Sequence, residues 1–466
     1  MSSAPHEPEV MRRGRGLSVV DAAAIIVGVV VGAGIFRMPG LVAGNAGNET
    51  NTMLLWLLGG GISLIGAFCY AELATAFPNV GGDYHFLSRS FGKSVSFLFA
   101  WARMTIIQPG SIALQAYIIG DYMSQVVPLG EASPSLYAAG TIVLLTAINA
   151  VGLHPGKWTQ NLLTTATVIS LVFVAIAGLA LVSPQSAPPP AEAGGGSGIA
   201  LGMAMIFVLL TYGGWNEAAY LSSEVRNGHN PVAKALFWGI GAITVIYILA
   251  NLAFLKGLGF EGLAASQVPA ADLLRGTALG ERGAALVSLL IVVAALSTTN
   301  ATIITGARTN YALGRDYPLM RRLGQWHERG ETPTNALILQ GLLALLLVGL
   351  ALSIRQSGVE TMVAYTAPVF WLFFMLVGFA VFVLRRWLPE VPRPFRVPLY
   401  PVTPFVFCAV CVYMLHSSIS YAGTLDFGAP GWIGLIVLAS GVLFLLLARP
   451  NGDSEQHTTL QGRSTE

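Results

Sequence analysis

Twelve stretches of this chain are apolar for long enough to cross a bilayer as a helix, at about 19–44, 52–77, 94–123, 134–152, 158–182, 199–224, 233–257, 283–312, 334–354, 359–384, 402–421 and 430–448. Only 10% of the 466 residues are charged, against about 25% in an ordinary soluble domain. That is too little charge to cover a water-facing surface, so the expected class is an all-α integral membrane protein that sits in the lipid bilayer. A net charge of +2 gives no electrostatic basis for binding nucleic acid. Residues 1–16 are polar and basic, and the first apolar run is too long for the core of a cleaved signal.

An even number of spans puts both termini on one side. With both tails (1–18 and 449–466) in the cytoplasm, the outside loops carry only Lys256, Arg275, Arg282 and Arg355, and the other loop and tail Lys and Arg fall inside. Positive charge gathers on the cytoplasmic side of membrane proteins. The expectation is therefore a multi-pass protein of the cytoplasmic (inner or plasma) membrane with both ends cytoplasmic.

The first span contains its own interruption, Val31-Gly32-Ala33-Gly34-Ile35-Phe36-Arg37-Met38-Pro39-Gly40. Gly and Pro are the poorest residues for an unbroken helix. In hydrocarbon each unpaired N–H or C=O costs several kcal/mol, so a break persists only where protein, water or a ligand satisfies it. The sixth span carries a second interruption, Leu210-Thr211-Tyr212-Gly213-Gly214-Trp215-Asn216-Glu217. Gly pairs also serve close helix packing, but two interruptions five spans apart fit two inverted five-helix repeats, at 19–182 and 199–384. The flexible Pro- and Gly-rich stretch near 183–196 lies between them, and two further helices occupy 402–448. Matched interruptions in the two halves of such a chain point to a midplane transport site.

The chemistry of the breaks favours a zwitterion. Half-helix N-termini offer free N–H groups to a carboxylate, and half-helix C-termini offer carbonyls to an ammonium. Gly32, Ala33, Gly34 and Gly213 leave the main chain open to a ligand. Cys69, Cys408 and Cys411 all lie in apolar runs, so neither a metal site nor a disulfide-linked accessory subunit is evident. No clustered acid, base or nucleophile supports a membrane enzyme, and nothing in the chain resembles the pore-lining rings of a channel. No organic cofactor is expected.

Several motifs, in order along nearly the whole chain, resemble the amino acid–polyamine–organocation transporters and their L-type amino acid transporter branch. Gly32-Ala33-Gly34-Ile35-Phe36 looks like the Gly-Ser-Gly-Ile-Phe break of span one. Tyr70-Ala71-Glu72-Leu73, Gly81-Gly82-Asp83-Tyr84, Gln108-Pro109-Gly110-Ser111, Tyr212-Gly213-Gly214-Trp215-Asn216 and Pro392-Arg393-Pro394-Phe395-Arg396 are similar to later segments. The resemblance implies a LeuT-type fold of twelve transmembrane helices, a 5+5 inverted repeat plus two C-terminal helices, with helices 1 and 6 discontinuous. It also implies a secondary transporter for small, neutral L-amino acids, either an exchanger (antiporter) or a cation-coupled symporter. A polyamine or cationic amino acid permease is the alternative.

By that resemblance, main chain at Gly32, Ala33, Gly34 and Ile35 holds the substrate carboxylate. Main chain at Leu210, Thr211 and Gly213 holds the ammonium, with Tyr212 and Asn216 beside it. Many family members carry a Lys in span five where Thr167 stands here. Thr167 with Ser297, Thr298 and Thr299 would make an all-oxygen neighbourhood suited to a hard cation, although such hydroxyls also bond within their own helices. Glu217 is a candidate proton carrier or a partner for Arg308 or Arg103. The coupling ion thus stays open between Na+ and H+. Arg37, just after the first break, could gate the outer side or extend outward to the headgroups, and the second is the expectation.

Overall fold

The first break is present in the structure. The computed structural model describes residues 23, 26–28, 30–79, 81–152, 169–181, 198–216, 231–327, 332–354, 357–424 and 429–447. Val30 is helical, Val31 and Gly32 are not, and a new helix α1 begins at Gly34 and runs Gly34–Ala46 with Pro39 inside it. Gly47, at φ 79°, ends it in the left-handed conformation that glycine adopts without penalty. The next helix, α2 (Glu49–Ala76), opens on Asn48, whose side chain accepts from the Asn51 N–H at 2.7 Å.

The chain continues as α3 (Asp83–Phe91), α4 (Lys93–Met123), α5 (Ser133–Val151), α6 (Ile169–Leu179) and α7 (Gly198–Thr211). There follow α8 (Pro231–Ala265), α9 (Pro269–Arg275), α10 (Gly280–Asp316) and α11 (Thr334–Ile354). The last helices are α12 (Gly358–Trp387), α13 (Val402–Thr424) and α14 (Ala429–Leu447). Among the described residues there is no strand, only an isolated bridge between His327 and Thr332. Pro at the start of α8 and of α9 sits where a missing N–H costs nothing.

Eight of these helices are long and apolar enough to cross a membrane: α2, α4, α5, α8, α10, α11, α12 and a shortened α13. The stretches at 169–179, 200–211 and 430–446 are shorter apolar helices, and α1 is the half-helix that follows the break. Long exposed side chains such as Leu346, Ile436 and Leu443 cover helix faces that only lipid can solvate.

Close helix contact depends on small residues. A methyl added at Gly59 of α2 would lie 2.3 Å from Val208 of α7, and one at Gly40 of α1 would lie 2.4 Å from the Ser266 carbonyl. The helices beside both breaks are thereby held close to their neighbours. Cys69, Cys408 and Cys411 are buried free thiols within the core.

Two ion clusters fasten the bundle. At one face, Glu72 of α2 accepts from Arg385 of α12 at 2.7 and 2.5 Å, lies 3.5 Å from Arg393 and accepts the Val397 N–H at 2.6 Å. Arg393 also donates to the Leu384 and Leu388 carbonyls that end α12. At the other face, Arg37 is 2% exposed and donates to Asp121 of α4 at 3.2 Å. This corrects the expectation that Arg37 reaches to the headgroups. A guanidinium one turn beyond a break is too costly to leave unpaired among helices, and a carboxylate on α4 meets it.

Candidate functional site

The two breaks lie side by side. A methyl on Gly34 would touch the Thr211 side chain at 3.7 Å, an ordinary contact distance, so the opening turn of α1 packs on the last turn of α7. Gly32 differs, since nothing lies within 4 Å of the position its Cβ would take. The main chain at Gly32 therefore borders open space, while Gly34 is packed.

At the opening of α1, Ala33 is the cap and no side chain bonds to it. The first N–H groups of a helix have no partner within it. Here the Phe36 N–H turns back to the Ala33 carbonyl at 3.1 Å, which leaves the N–H groups of Gly34 and Ile35 as donors at the break. Ile35 is fully buried.

At the end of α7 the chain turns through Tyr212-Gly213-Gly214, with Gly214 at φ 106°, before Trp215 and Asn216 resume a helix. The Leu210 carbonyl accepts from the Gly213 N–H at 3.1 Å. The Thr211 hydroxyl donates back to the Phe207 carbonyl at 2.8 Å. A carbonyl has two lone pairs, so Leu210 and Thr211 each keep acceptor capacity.

Tyr247 of α8 ties the two breaks together. Its hydroxyl is 3.2 Å from the Val30 carbonyl, which ends the first half of span one, and 3.1 Å from the Thr211 carbonyl, which ends α7. Two half-helix C-termini, each partly negative, thus share one phenolic hydrogen. The ring is fixed from behind by Trp56 and Tyr212, at centroid distances of 5.8 and 5.0 Å.

The side chains expected near the substrate divide in two. Tyr212 is fully buried and its hydroxyl donates to the Trp56 carbonyl at 3.0 Å, so only its main chain borders the break. Trp215 packs edge-on against Tyr70 at 5.3 Å and beside Phe374 at 5.4 Å, which makes it a core residue. Leu210 and Asn216 are half-buried on the break itself. Of the proposed cation ligands, Ser297 is buried, and Thr298 and Thr299 donate to the Ala294 and Ala295 carbonyls of their own helix. Thr167 and Glu217 lie outside the described residues.

Sequence reading missed Tyr247 and Asp121. Asp121 had a signal, because a buried Arg inside a span requires a carboxylate somewhere. Tyr247 had none, being one aromatic in an apolar run whose register against two breaks depends on tertiary packing.

The side of the breaks that carries Arg37 holds a second polar space. A cavity of about 280 Å3 is lined by Arg37, Gly40, Asn45, Ser266 and Glu360 among others. Below it the Tyr122 hydroxyl donates to the Phe36 carbonyl at 2.6 Å. Together with the Arg37–Asp121 pair, this clasp closes α1 onto α4 between that cavity and the breaks.

Comparison with known proteins matches the amino acid permease family over residues 17–443. The chain is 27% identical to the b(0,+)-type amino acid transporter 1 of Homo sapiens over 95% of this chain and 89% of that protein. It is 26% identical to the serine/threonine exchanger SteT of Bacillus subtilis, over 90% and 94% of the two chains. It is 28% identical to the large neutral amino acids transporter small subunit 2 of Mus musculus, over 91% and 79%.

Proposed function

The chain belongs to the amino acid permease family, a family of membrane transporters rather than enzymes, and on that premise we propose that it moves small neutral L-amino acids by alternating access around its two helix breaks. The observation that carries this reading is the convergence at Tyr247. Tyr247 joins the carbonyls of Val30 and Thr211, Gly34 packs on Thr211, and the N–H groups of Gly34 and Ile35 open α1 without a partner among the described residues. Donors of partial positive charge beside acceptors of partial negative charge are the complement of an α-amino acid. The open space at Gly32 is room for a ligand to reach the main chain.

In this reading Gly32, Ala33, Gly34 and Ile35 hold the carboxylate, and Leu210, Thr211 and Gly213 hold the ammonium, with Asn216 alongside. The fold is a LeuT-type 5+5 inverted repeat of twelve spans, with the repeats at 19–182 and 199–384 and helices 11 and 12 at 402–448. The loop arginines favour both termini in the cytoplasm of a cell whose plasma membrane holds the protein, so the Arg37 end faces outward. Exchange is the favoured mode, in keeping with the relative that is named an exchanger. A sodium site at Thr167, Ser297 and Thr298, or a proton carried by Glu217, would make it a symporter instead. Arg37 is a cation paired with Asp121, and a guanidinium repels a polyammonium rather than selecting it.

The test is thermal stabilisation of the purified protein across a panel of amino acids and amines. Ligand at a hundredfold excess over its dissociation constant raises stability by about 2.7 kcal/mol. Counterflow in liposomes with and without a sodium gradient then separates the modes. Stabilisation by polyamines alone would sink the reading, and sodium-dependent uptake into liposomes that hold no internal substrate would replace exchange by symport.

A further inference from the structure

A cavity of about 900 Å3, remote from the breaks, opens between α4, α11, α12, α14 and the turn that follows α10. Its volume lies at the upper end of the range for small-molecule sites. The wall is built of side chains such as Trp101, Met104, Leu323, Leu343, Leu347 and Phe444, with Trp101 stacked on Phe444 at 4.4 Å. Apart from two arginines at one end, the few polar side chains in it are occupied. Trp101 donates to the Val437 carbonyl at 2.9 Å, the Thr105 hydroxyl to the Trp101 carbonyl at 2.8 Å and the Tyr365 hydroxyl to the Thr105 carbonyl at 3.2 Å. Hydrocarbon fits such a wall, whereas a polar solute would lose its hydration without replacement.

The length of the cavity suits a lipid tail. Its contacts on α11 run from Leu339 to Leu350 and on α14 from Ile433 to Phe444, eleven helical steps in each case, or about 16 Å of helix. That is about half the hydrocarbon thickness of a bilayer. At one end stand Arg321 and Arg322, both exposed, in the turn just beyond the end of α10. Among the described residues neither forms an ion pair. Two guanidiniums at the interface end of an apolar slot are complementary to a phosphate that carries a hydrocarbon chain.

The geometry points to a bound anionic glycerophospholipid, with one acyl chain in the cavity and its phosphate on Arg321 and Arg322. The chain fills a seam where α4 changes to a wider helical turn over Arg103–Ile107, and it supports the contact of that turn with α12. Two basic residues near a membrane surface each strengthen anionic-lipid contact severalfold.

Native mass spectrometry of the purified protein, titrated with phosphatidylglycerol or phosphatidylcholine, counts retained lipid directly. One phosphatidylglycerol should be held on the order of tenfold more tightly than phosphatidylcholine. Arg321→Gln with Arg322→Gln should remove that preference, and Leu343→Trp, which fills the slot, should remove retention of both lipids. Phosphatidylglycerol should also raise the melting temperature of the unaltered protein more than phosphatidylcholine does, a readout that needs no variant. Equal retention of the two lipids by the unaltered protein overturns the proposal, as does retention unchanged in both variants. Displacement of the lipid by inorganic phosphate alone would assign the arginines to free phosphate and overturn it too.

Discussion

The Arg37 guanidinium meets the Asp121 carboxylate at 3.2 Å with both side chains withdrawn from solvent. Arg37 belongs to the half-helix after the first break and Asp121 to α4, so the pair fastens α1 to α4. Removing one member of a buried pair typically costs about 3–5 kcal/mol, because it strands the other charge. Asp121→Asn should therefore shift the protein toward an arrangement open at the Arg37 end. Asn45 lines the cavity there, and the three native cysteines are buried. An Asn45→Cys probe in oriented vesicles should react with an impermeant thiol reagent at least about tenfold faster in the Asp121→Asn background, since about 1.4 kcal/mol is a factor of ten. An unchanged rate would separate this pair from gating.

Tyr247→Phe removes the one hydrogen shared by the Val30 and Thr211 carbonyls and leaves the ring packing intact. A buried acceptor that loses its partner costs about 1–3 kcal/mol, and here the cost falls on the geometry of both breaks. The expected outcome is a fivefold or larger rise in the KM for uptake with a monodisperse, folded protein. If KM is unchanged, the hydroxyl has no part in positioning the breaks.

The breaks were legible because hydrocarbon punishes a broken helix more than water does. Gly32-Ala33-Gly34 and Gly213-Gly214 could sit in spans only with compensation, and the chain leaves the helix at 31–33 and at 212–214. What compensates them was not legible. Tyr247 reaches the two carbonyls from α8, more than thirty residues beyond Thr211, and an all-apolar run has no phase that tells which side of a helix faces inward. Arg37 was misread for the same reason, since long flexible side chains near span ends do often reach the headgroups, and only the position of Asp121 across the bundle decides otherwise.

Glu72 accepts four hydrogen bonds or charge contacts from α12 and the segment after it, through Arg385, Arg393 and the Val397 N–H. Arg385 also lies 3.8 Å over the Tyr400 ring. This cluster joins α2 to α12 through contacts that include none of the main-chain groups at the breaks, so its loss should act on stability rather than on substrate recognition. Glu72→Gln should lower unfolding free energy by about 3 kcal/mol with an unchanged KM per folded molecule. Calorimetry or a thermal-shift assay in detergent checks the first part, and liposome uptake checks the second. A melting temperature equal to that of the unaltered protein would show that the cluster is solvated and weak.

Gly32 and Gly59 give opposite expectations for the same substitution. A side chain at Gly32 enters open space, so Gly32→Leu should leave stability within about 0.5 kcal/mol while it fills the room a ligand needs. Thermal stabilisation by amino acids should then disappear although the protein remains folded. A side chain at Gly59 meets Val208 at 2.3 Å, and forced overpacking costs about 1–3 kcal/mol. Gly59→Leu should therefore lower the melting temperature by pushing α7 away from α2. Retained ligand stabilisation in Gly32→Leu would move the substrate away from the first break, whatever happens at Gly59.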